Sequence, residues 1–345
     1  MKCKRVGNFS TQPLIQESRQ TPILLLEGDN YDISSKGISK TLYRMRNSAT
    51  YSDGLPAFNQ NSTMVEEIYD MNKVRKTFIL RRDSTPQRSD QALDSISIQE
   101  IGHGIEKGHG TGCTTWESSI VMSMYFSKNP ELLKGKVIEL GSGIGLGGML
   151  TLSAFKKQVE KGHIPSDTMS FTFTDCSQKV MEQCKTNLSS LGLPELIKTR
   201  VISLNWHDFV NPLDQLDEMG NYDSVIASDV AYDVSSIKPL CCTMTNLLRP
   251  GGQKKIHLFG PNNRAVLHDL INELKRNDKL NTSVEIIEME RLRLKAKKSS
   301  TSDNILDETF LSKKVVEFAH VIVSHRQPTT KSKEAAESYS LIDLD

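Results

Sequence analysis

Three stretches of the chain combine residue types and spacings that can do chemistry. The first is Val137-Ile138-Glu139-Leu140 running into Gly141-Ser142-Gly143-Ile144-Gly145-Leu146-Gly147-Gly148. An apolar strand pattern gives way there to glycines that let backbone amides approach a ligand, and then to a helix start with partial positive charge. Such a loop cradles a polar ligand. Gly143 to Gly148 also matches G-x-G-x-x-G, the dinucleotide pattern, which alone is a weak signal. Glu139 decides between the two: a carboxylate just ahead of the glycines repels a pyrophosphate but suits a ligand carrying an ammonium and a sulfonium. The second stretch ends at Asp175, which closes an apolar strand where a carboxylate can accept hydrogen bonds from both hydroxyls of a ribose. Its alternative is a helix cap ahead of Gln178. The third is Ser228-Asp229-Val230-Ala231-Tyr232-Asp233, following another apolar strand. Loops at such strand ends often carry function, although these residues can also form a plain turn.

Other candidates are weaker. His207 and Asp208 follow Trp206, but adjacent residues diverge along an extended chain, so a surface histidine is expected. Two Gly-His-Gly units at 102–104 and 108–110 lack carboxylate or cysteine partners and read as a mobile loop on the substrate side, with no metal site expected. The cysteines, Cys3, Cys113, Cys176, Cys184, Cys241 and Cys242, show no CxxC spacing and read as reduced, buried thiols of a cytosolic or nuclear protein. Arg291-Leu292-Arg293-Leu294-Lys295-Ala296-Lys297-Lys298 alternates charged and apolar groups. That fits a strand with one wet face better than a nucleic-acid patch, and its basic side could receive an acidic substrate.

Positioning these residues requires an alternating fold. Strand patterns fall at 136–140, 170–174, 200–203, 222–228 and 255–259, and helical patterns at 146–158, 178–191, 237–248 and 264–276. This is the signature of an α/β protein with a Rossmann-like, mostly parallel sheet and helices on both faces. Leu247-Leu248-Arg249-Pro250-Gly251-Gly252 is a helix stop and tight turn, hence scaffold. Two further strands, 283–291 and 315–324, close the domain around the basic, serine-rich 295–303. Ahead of it, 76–82 and 95–101 suit a β-hairpin with a long loop, and Thr114 or Thr115 can cap a helix carrying Ile120, Val121 and Met124. Residues 1–72 and 327–345 are polar and aperiodic and read as disordered tails around a domain at 73–326. The 345 residues carry 43 basic and 42 acidic side chains, so no field of one sign draws the protein to nucleic acid or a membrane. No apolar run is long enough to span a bilayer. The basic start, Met1 to Arg5, is followed by Glu17 and Glu27 rather than an apolar run, so no secretory signal is expected.

From about Ser95 to Ser324 the chain resembles the seven-β-strand, class I methyltransferases. The resemblance is carried by the Glu139–Gly145 loop, the strand end at Asp175, the Pro250-Gly251-Gly252 turn and the final strand pair. Gly112-Cys113-Thr114-Thr115-Trp116-Glu117, Ser203-Leu204-Asn205-Trp206 and Asp229-x-x-Tyr232 resemble more narrowly the protein-lysine branch, methyltransferase family 16. That branch modifies valosin-containing protein, chaperones, calmodulin and elongation factors. The resemblance implies a seven-stranded sheet, S-adenosylmethionine as cofactor and a lysine-bearing protein as substrate, handled by a monomer. It places Trp116 near the methionine end of the cofactor and Glu139, Gly141, Ser142, Gly143 and Gly145 along it. Asp175 would hold the ribose, Trp206 would lie against the adenine, and Ser228 would close the pocket. Asp229 and Tyr232 would sit at the transferable methyl, Asp229 orienting the lysine nitrogen or holding the cofactor's ammonium, Tyr232 walling the channel with its ring. Three alternatives stand beside lysine: another protein atom such as a histidine nitrogen or N-terminal amine, a small molecule, or a cofactor-binding protein without catalysis.

Overall fold

The computed structural model describes residues 38–45, 62–70, 75–83, 92–101, 111–160, 169–193, 197–210, 221–249, 254–298 and 306–326. In chain order the strands and helices are β1 (Ile38–Met45), β2 (Ser62–Asp70), β3 (Arg75–Asp83), β4 (Ala92–Gln99), α1 (Glu117–Lys128), β5 (Gly135–Leu140), α2 (Leu146–Glu160), β6 (Met169–Asp175), α3 (Gln178–Ser189), β7 (Lys198–Ser203), β8 (Ser224–Ser228), α4 (Ile237–Leu247), β9 (Lys255–Pro261), α5 (Ala265–Arg276), β10 (Leu280–Lys298) and β11 (Leu306–His325). The Gly-His-Gly loop, the Pro250-Gly251-Gly252 turn, Cys3 and the tail 327–345 lie outside the described residues.

One eleven-stranded sheet runs in the order β4-β3-β2-β1-β10-β11-β9-β8-β5-β6-β7. Strands β7, β6, β5, β8 and β9 are parallel, and all remaining pairings are antiparallel. The α/β class is as expected, with the seven strands from β10 to β7 forming the expected unit. The sheet is larger and more mixed than seven mostly parallel strands because β1 to β4 add an antiparallel meander along β10. The expected hairpin is the β3–β4 part of that meander. The reading of 1–72 as a tail is therefore corrected at 38–45 and 62–70; its other residues up to 70 lie outside the described set. The reason is physical. In Ile38-Ser39-Lys40-Thr41-Leu42-Tyr43-Arg44-Met45 neither alternate set is consistently apolar, and the strand exists through its pairing with a β10 segment some 250 residues away.

Alternation along β5 sorts the core into two layers. Val137 packs with Phe171 and Phe173 under α1, α2 and α3, whereas Ile138 and Leu140 pack with Val225, Leu258, Leu267 and Leu270 under α4 and α5. Helix α1 is anchored at its far end by a buried histidine pair, His257 Nδ1 to His320 Nε2 at 3.0 Å, on which Tyr125 and Phe126 pack. Burial pushes these imidazoles down to about 4 and about 3, so both are neutral near pH 7 and share a hydrogen bond rather than repel. At its near end α1 has no threonine cap. Trp116 occupies the cap position without a side-chain capping bond, and the threonines turn instead to Glu100, just after β4. Its Oε1 accepts from Thr114 Oγ1 (2.8 Å), Thr115 N (2.8 Å), Thr115 Oγ1 (2.9 Å) and Lys76 Nζ (3.1 Å). Burial alone would raise this carboxyl; Lys76 and the other donors outweigh it and leave the group below its ordinary range. Among the described residues no helix is long and apolar enough to cross a membrane.

Candidate active site

The glycine loop caps the carboxyl end of β5. Gly141, Gly143 and Gly145 have φ of 62°, 55° and 95°, a left-handed backbone that L side chains rarely adopt. Space forbids side chains as well: a Cβ on Gly141 would lie 2.7 Å from Val230 Cγ1, and one on Gly143 would lie 3.0 Å from the Gly112 carbonyl oxygen. Ser142 is pinned to the next strand, its N and Oγ donating to Thr174 O at 2.8 and 2.9 Å. Asp175 stands beside the loop, its Oδ2 accepting from Gly143 N (3.2 Å) and its Oδ1 from Ser177 N (3.1 Å). The cap of α3 is Ser177, whose Oγ accepts from Val180 N, so Asp175 remains at the loop and is not that cap. Burial raises the Asp175 carboxyl, and these amides offset part of the rise.

Glu139 departs from expectation. It does not reach the mouth of the loop but is enclosed, about 1% exposed, beneath the first turn of α2. A Cβ on Gly147 or Gly148 would fall 2.8 or 2.5 Å from its two carboxyl oxygens. Strand alternation places it on the face that α2 covers, and the two glycines make the room it occupies. Burial pushes its carboxyl up to about 8, which leaves it mostly protonated near neutral pH.

Four consecutive residues at the start of α1 join the remaining parts. Trp116 Nε1 donates to Thr111 O at 2.9 Å. Glu117 is ion-paired with Arg291 on β10. Ser118 Oγ is buried beside the Asp229 carboxylate without a hydrogen-bond partner among the described residues, and Ser119 Oγ lies 2.9 Å from Ser228 Oγ. Asp229 has a φ of 59°, and its N–H donates to Phe259 O at 2.9 Å while its carboxylate is ion-paired with Arg264. A non-glycine residue held in this region costs about 1–3 kcal/mol and persists only where surrounding contacts over-determine it. Burial raises the Asp229 carboxyl, opposed chiefly by Arg264. Tyr232, half exposed, stands beside the Thr111 side chain, so the two members of Asp229-x-x-Tyr232 face different neighbours. The ring of Trp206 borders Gly141, and its buried Nε1 has no partner. His207 and Asp208 diverge as expected, toward Ser236 and Asn205.

Several residues of the site were not singled out by sequence. Arg264, Thr111, Ser118 and Ser119 lie beside it, and Asn187 ties Ile144 O of the loop to Gln99 of β4 through Nδ2 and Oδ1. Ser118, Ser119 and Asn187 gave a signal, since each is a polar residue on an otherwise apolar helix face. Arg264 gave none; only the tertiary fold brings it to Asp229.

A lysine methyltransferase family profile matches residues 78–291. The chain is 32% identical over 161 residues to a protein-lysine N-methyltransferase EFM3 of Chaetomium thermophilum, covering 45% of each chain. It is 26% identical over 163 residues to a calmodulin-lysine N-methyltransferase of Arabidopsis thaliana, covering 46% of this chain and 48% of that protein. It is also 26% identical over 204 residues to a histidine protein methyltransferase 1 homolog of Bos taurus, covering 54% of each. The chain spans about half the length of these curated relatives. The matched segment takes in the meander from Phe78 onward, the glycine loop and every residue gathered at the start of α1, and it is more than half of the sequence: the chain belongs to the lysine methyltransferase family.

Proposed function

We propose that the protein transfers a methyl group from S-adenosylmethionine to a lysine ε-amine of another protein. The observation that carries this reading is Asp229, fixed in a left-handed conformation by Phe259 and Arg264 in a loop whose Val230 packs against the glycine loop. The fit to the cofactor rests on three features: a glycine cradle that side chains would fill, a buried indole N–H of Trp206 without a partner, and the Asp175 carboxylate at the loop. In this reading Asp175 holds the ribose hydroxyls, Gly141, Ser142, Gly143 and Gly145 line the cofactor, and Trp116, Trp206 and Ser228 bound it. Glu139 acts from beneath, through the start of α2, and not by contact. The bound cofactor supplies an electrophilic methyl on a sulfonium.

The chain's own residues must align the amine, exclude water and let the amine lose its proton. Asp229 orients the nitrogen, and Tyr232 walls the channel and faces the cationic product. A lone carboxylate would raise the amine's pKa and hold its proton, but the Arg264 guanidinium beside Asp229 reduces that effect. The described cysteines are all free thiols, which fits a reducing cytosolic or nuclear setting; Cys113 and Cys184 are buried as expected, but Cys176 and Cys242 are exposed. The test is labelling of proteins in an extract of the source cells with methyl-labelled cofactor, beside Asp229→Ala. Label that depends on Asp229 and hydrolyses to methyl-lysine supports the reading. Methyl-histidine would replace it with the second reading, which the resemblance to the Bos taurus protein favours.

A further inference from the structure

Strands β10 and β11 are 19 and 20 residues long and outrun the parallel strands beside them. Pro261, the last residue of β9, pairs with Phe318, which pairs with Ile287. Everything from Glu288 to Lys298 therefore projects past the carboxyl edge of the parallel strands, the edge that carries the site. Arg291 and Arg293 occupy alternate positions of this projection and so share one face, and the strand beyond them continues as Lys295-Ala296-Lys297-Lys298. The shared face is the site's face, because Ile287 and Met289, which precede the two arginines in the same series, are buried in the core layer that includes α1. Leu292 and Leu294 take the other face. Lys314 on β11, exposed, stands opposite Arg291 in register. Arg291 opens the file, ion-paired with Glu117 between Trp116 and Ser118. Beyond it, Arg293 faces Ser312 and Thr41 across the strands, and neither Arg293 nor Lys314 has an ion pair among the described residues. The nearest carboxylate of β2, Glu67, is taken up by Tyr43 and Lys76.

We propose that this basic file receives an acidic segment of the substrate protein, lying extended along the ribbon next to the lysine presented to the site. The inference rests on the methyltransferase reading for the identity of that lysine. The spacing is that of its ligand: alternate residues of an extended peptide and of a strand both repeat at about 7 Å, so acidic side chains two residues apart meet Arg293 and then Lys314, which stands one such step along the ribbon. Nucleic acid fits less well, because 43 basic and 42 acidic residues leave the whole chain without the net positive field that phosphate binding exploits.

The test uses the full chain and a fluorescein-labelled peptide with one central lysine flanked by glutamates at alternate positions. Its affinity is measured by anisotropy with and without S-adenosylhomocysteine, at low and high salt. The same peptide with glutamines, and a single-stranded RNA of equal length, serve as comparisons. The acidic peptide should bind at least about tenfold more tightly than the glutamine peptide, and the difference should shrink in salt. Arg293→Glu combined with Lys314→Glu should remove the preference while leaving Tm and S-adenosylhomocysteine affinity unchanged. Equal binding of the two peptides, an undiminished preference in the double variant, or tighter binding of RNA than of the acidic peptide would overturn the proposal. Calorimetric failure to bind S-adenosylhomocysteine would instead defeat the methyltransferase reading, since peptide binding without cofactor is scored separately.

Discussion

The parallel half of the sheet, β5 to β9, and the antiparallel half, β1 to β4 with β10 and β11, reach the same site by different means. The parallel half supplies backbone geometry: its strand ends hold the glycine loop, Asp175, Ser228 and Asp229 in one row. The antiparallel half supplies long polar side chains. Glu100 and Lys76 grip the threonines ahead of Trp116, Arg291 grips Glu117, and the start of α1 is placed by both halves. Chemistry is thus set by strand ends that tolerate little change, and placement by charged contacts whose loss is graded.

The sharpest way to break this division is to compare single substitutions. Asp229→Ala should reduce methyl transfer by at least about a hundredfold while CD and Tm show an intact fold, because under the proposed function it removes the group that orients the amine. Turnover within a fewfold of wild type would end its assigned role. Glu139 offers a stability test of the parallel half. Its carboxyl is held up to about 8 in the folded chain, against 4.5 as its ordinary value. The unfolded chain releases that proton first, so this residue makes stability fall as pH rises through that window, by up to about 1.4 kcal/mol per pH unit. Glu139→Gln should flatten this dependence and be the more stable form by roughly 3 kcal/mol near pH 7 to 8 in denaturant titrations; an unchanged slope would mean that the carboxyl is ionised in place.

Asp175→Ala should weaken cofactor binding by about 1.5–3 kcal/mol in calorimetry, the loss of charge-assisted hydrogen bonds to hydroxyls. Unchanged affinity would leave the residue only as a brace between Gly143 and Ser177. On the antiparallel side, Glu100→Gln should cost about 1–2 kcal/mol of stability and raise the cofactor KM a fewfold with kcat nearly preserved. If it instead lowered kcat as far as Asp229→Ala does, the two halves could not be separated into chemistry and placement.

The parallel half was largely legible. Its strands and helices fell within a few residues of their expected ends, since buried parallel strands and amphipathic helices write their periods locally. Asp175, Trp206 and Asp229 stand out in the sequence because strand ends and a short motif mark them. The meander was not legible. Tyr43 and Val65 are buried, yet β1 and β2 surround them with Lys40, Arg44, Glu66 and Glu67, and their apolar content is visible as strand only once β10 is beside them. The placement of Glu139 was misjudged for a related reason: a charged residue ahead of a glycine loop reads as a ligand contact, whereas its strand face points under α2.

By itself the sequence determined the α/β class, the glycine loop, and the residue types that end the parallel strands, because each depends on spacing within a few residues. Only the tertiary structure decided which partner each side chain meets. Asp229 with Arg264, Glu117 with Arg291, Lys76 with Glu100 and Asn187 with Ile144 are joined across tens to hundreds of residues by the sheet order. Register and strand alternation set those meetings, and a local pattern carries no information about which distant strand will lie alongside it.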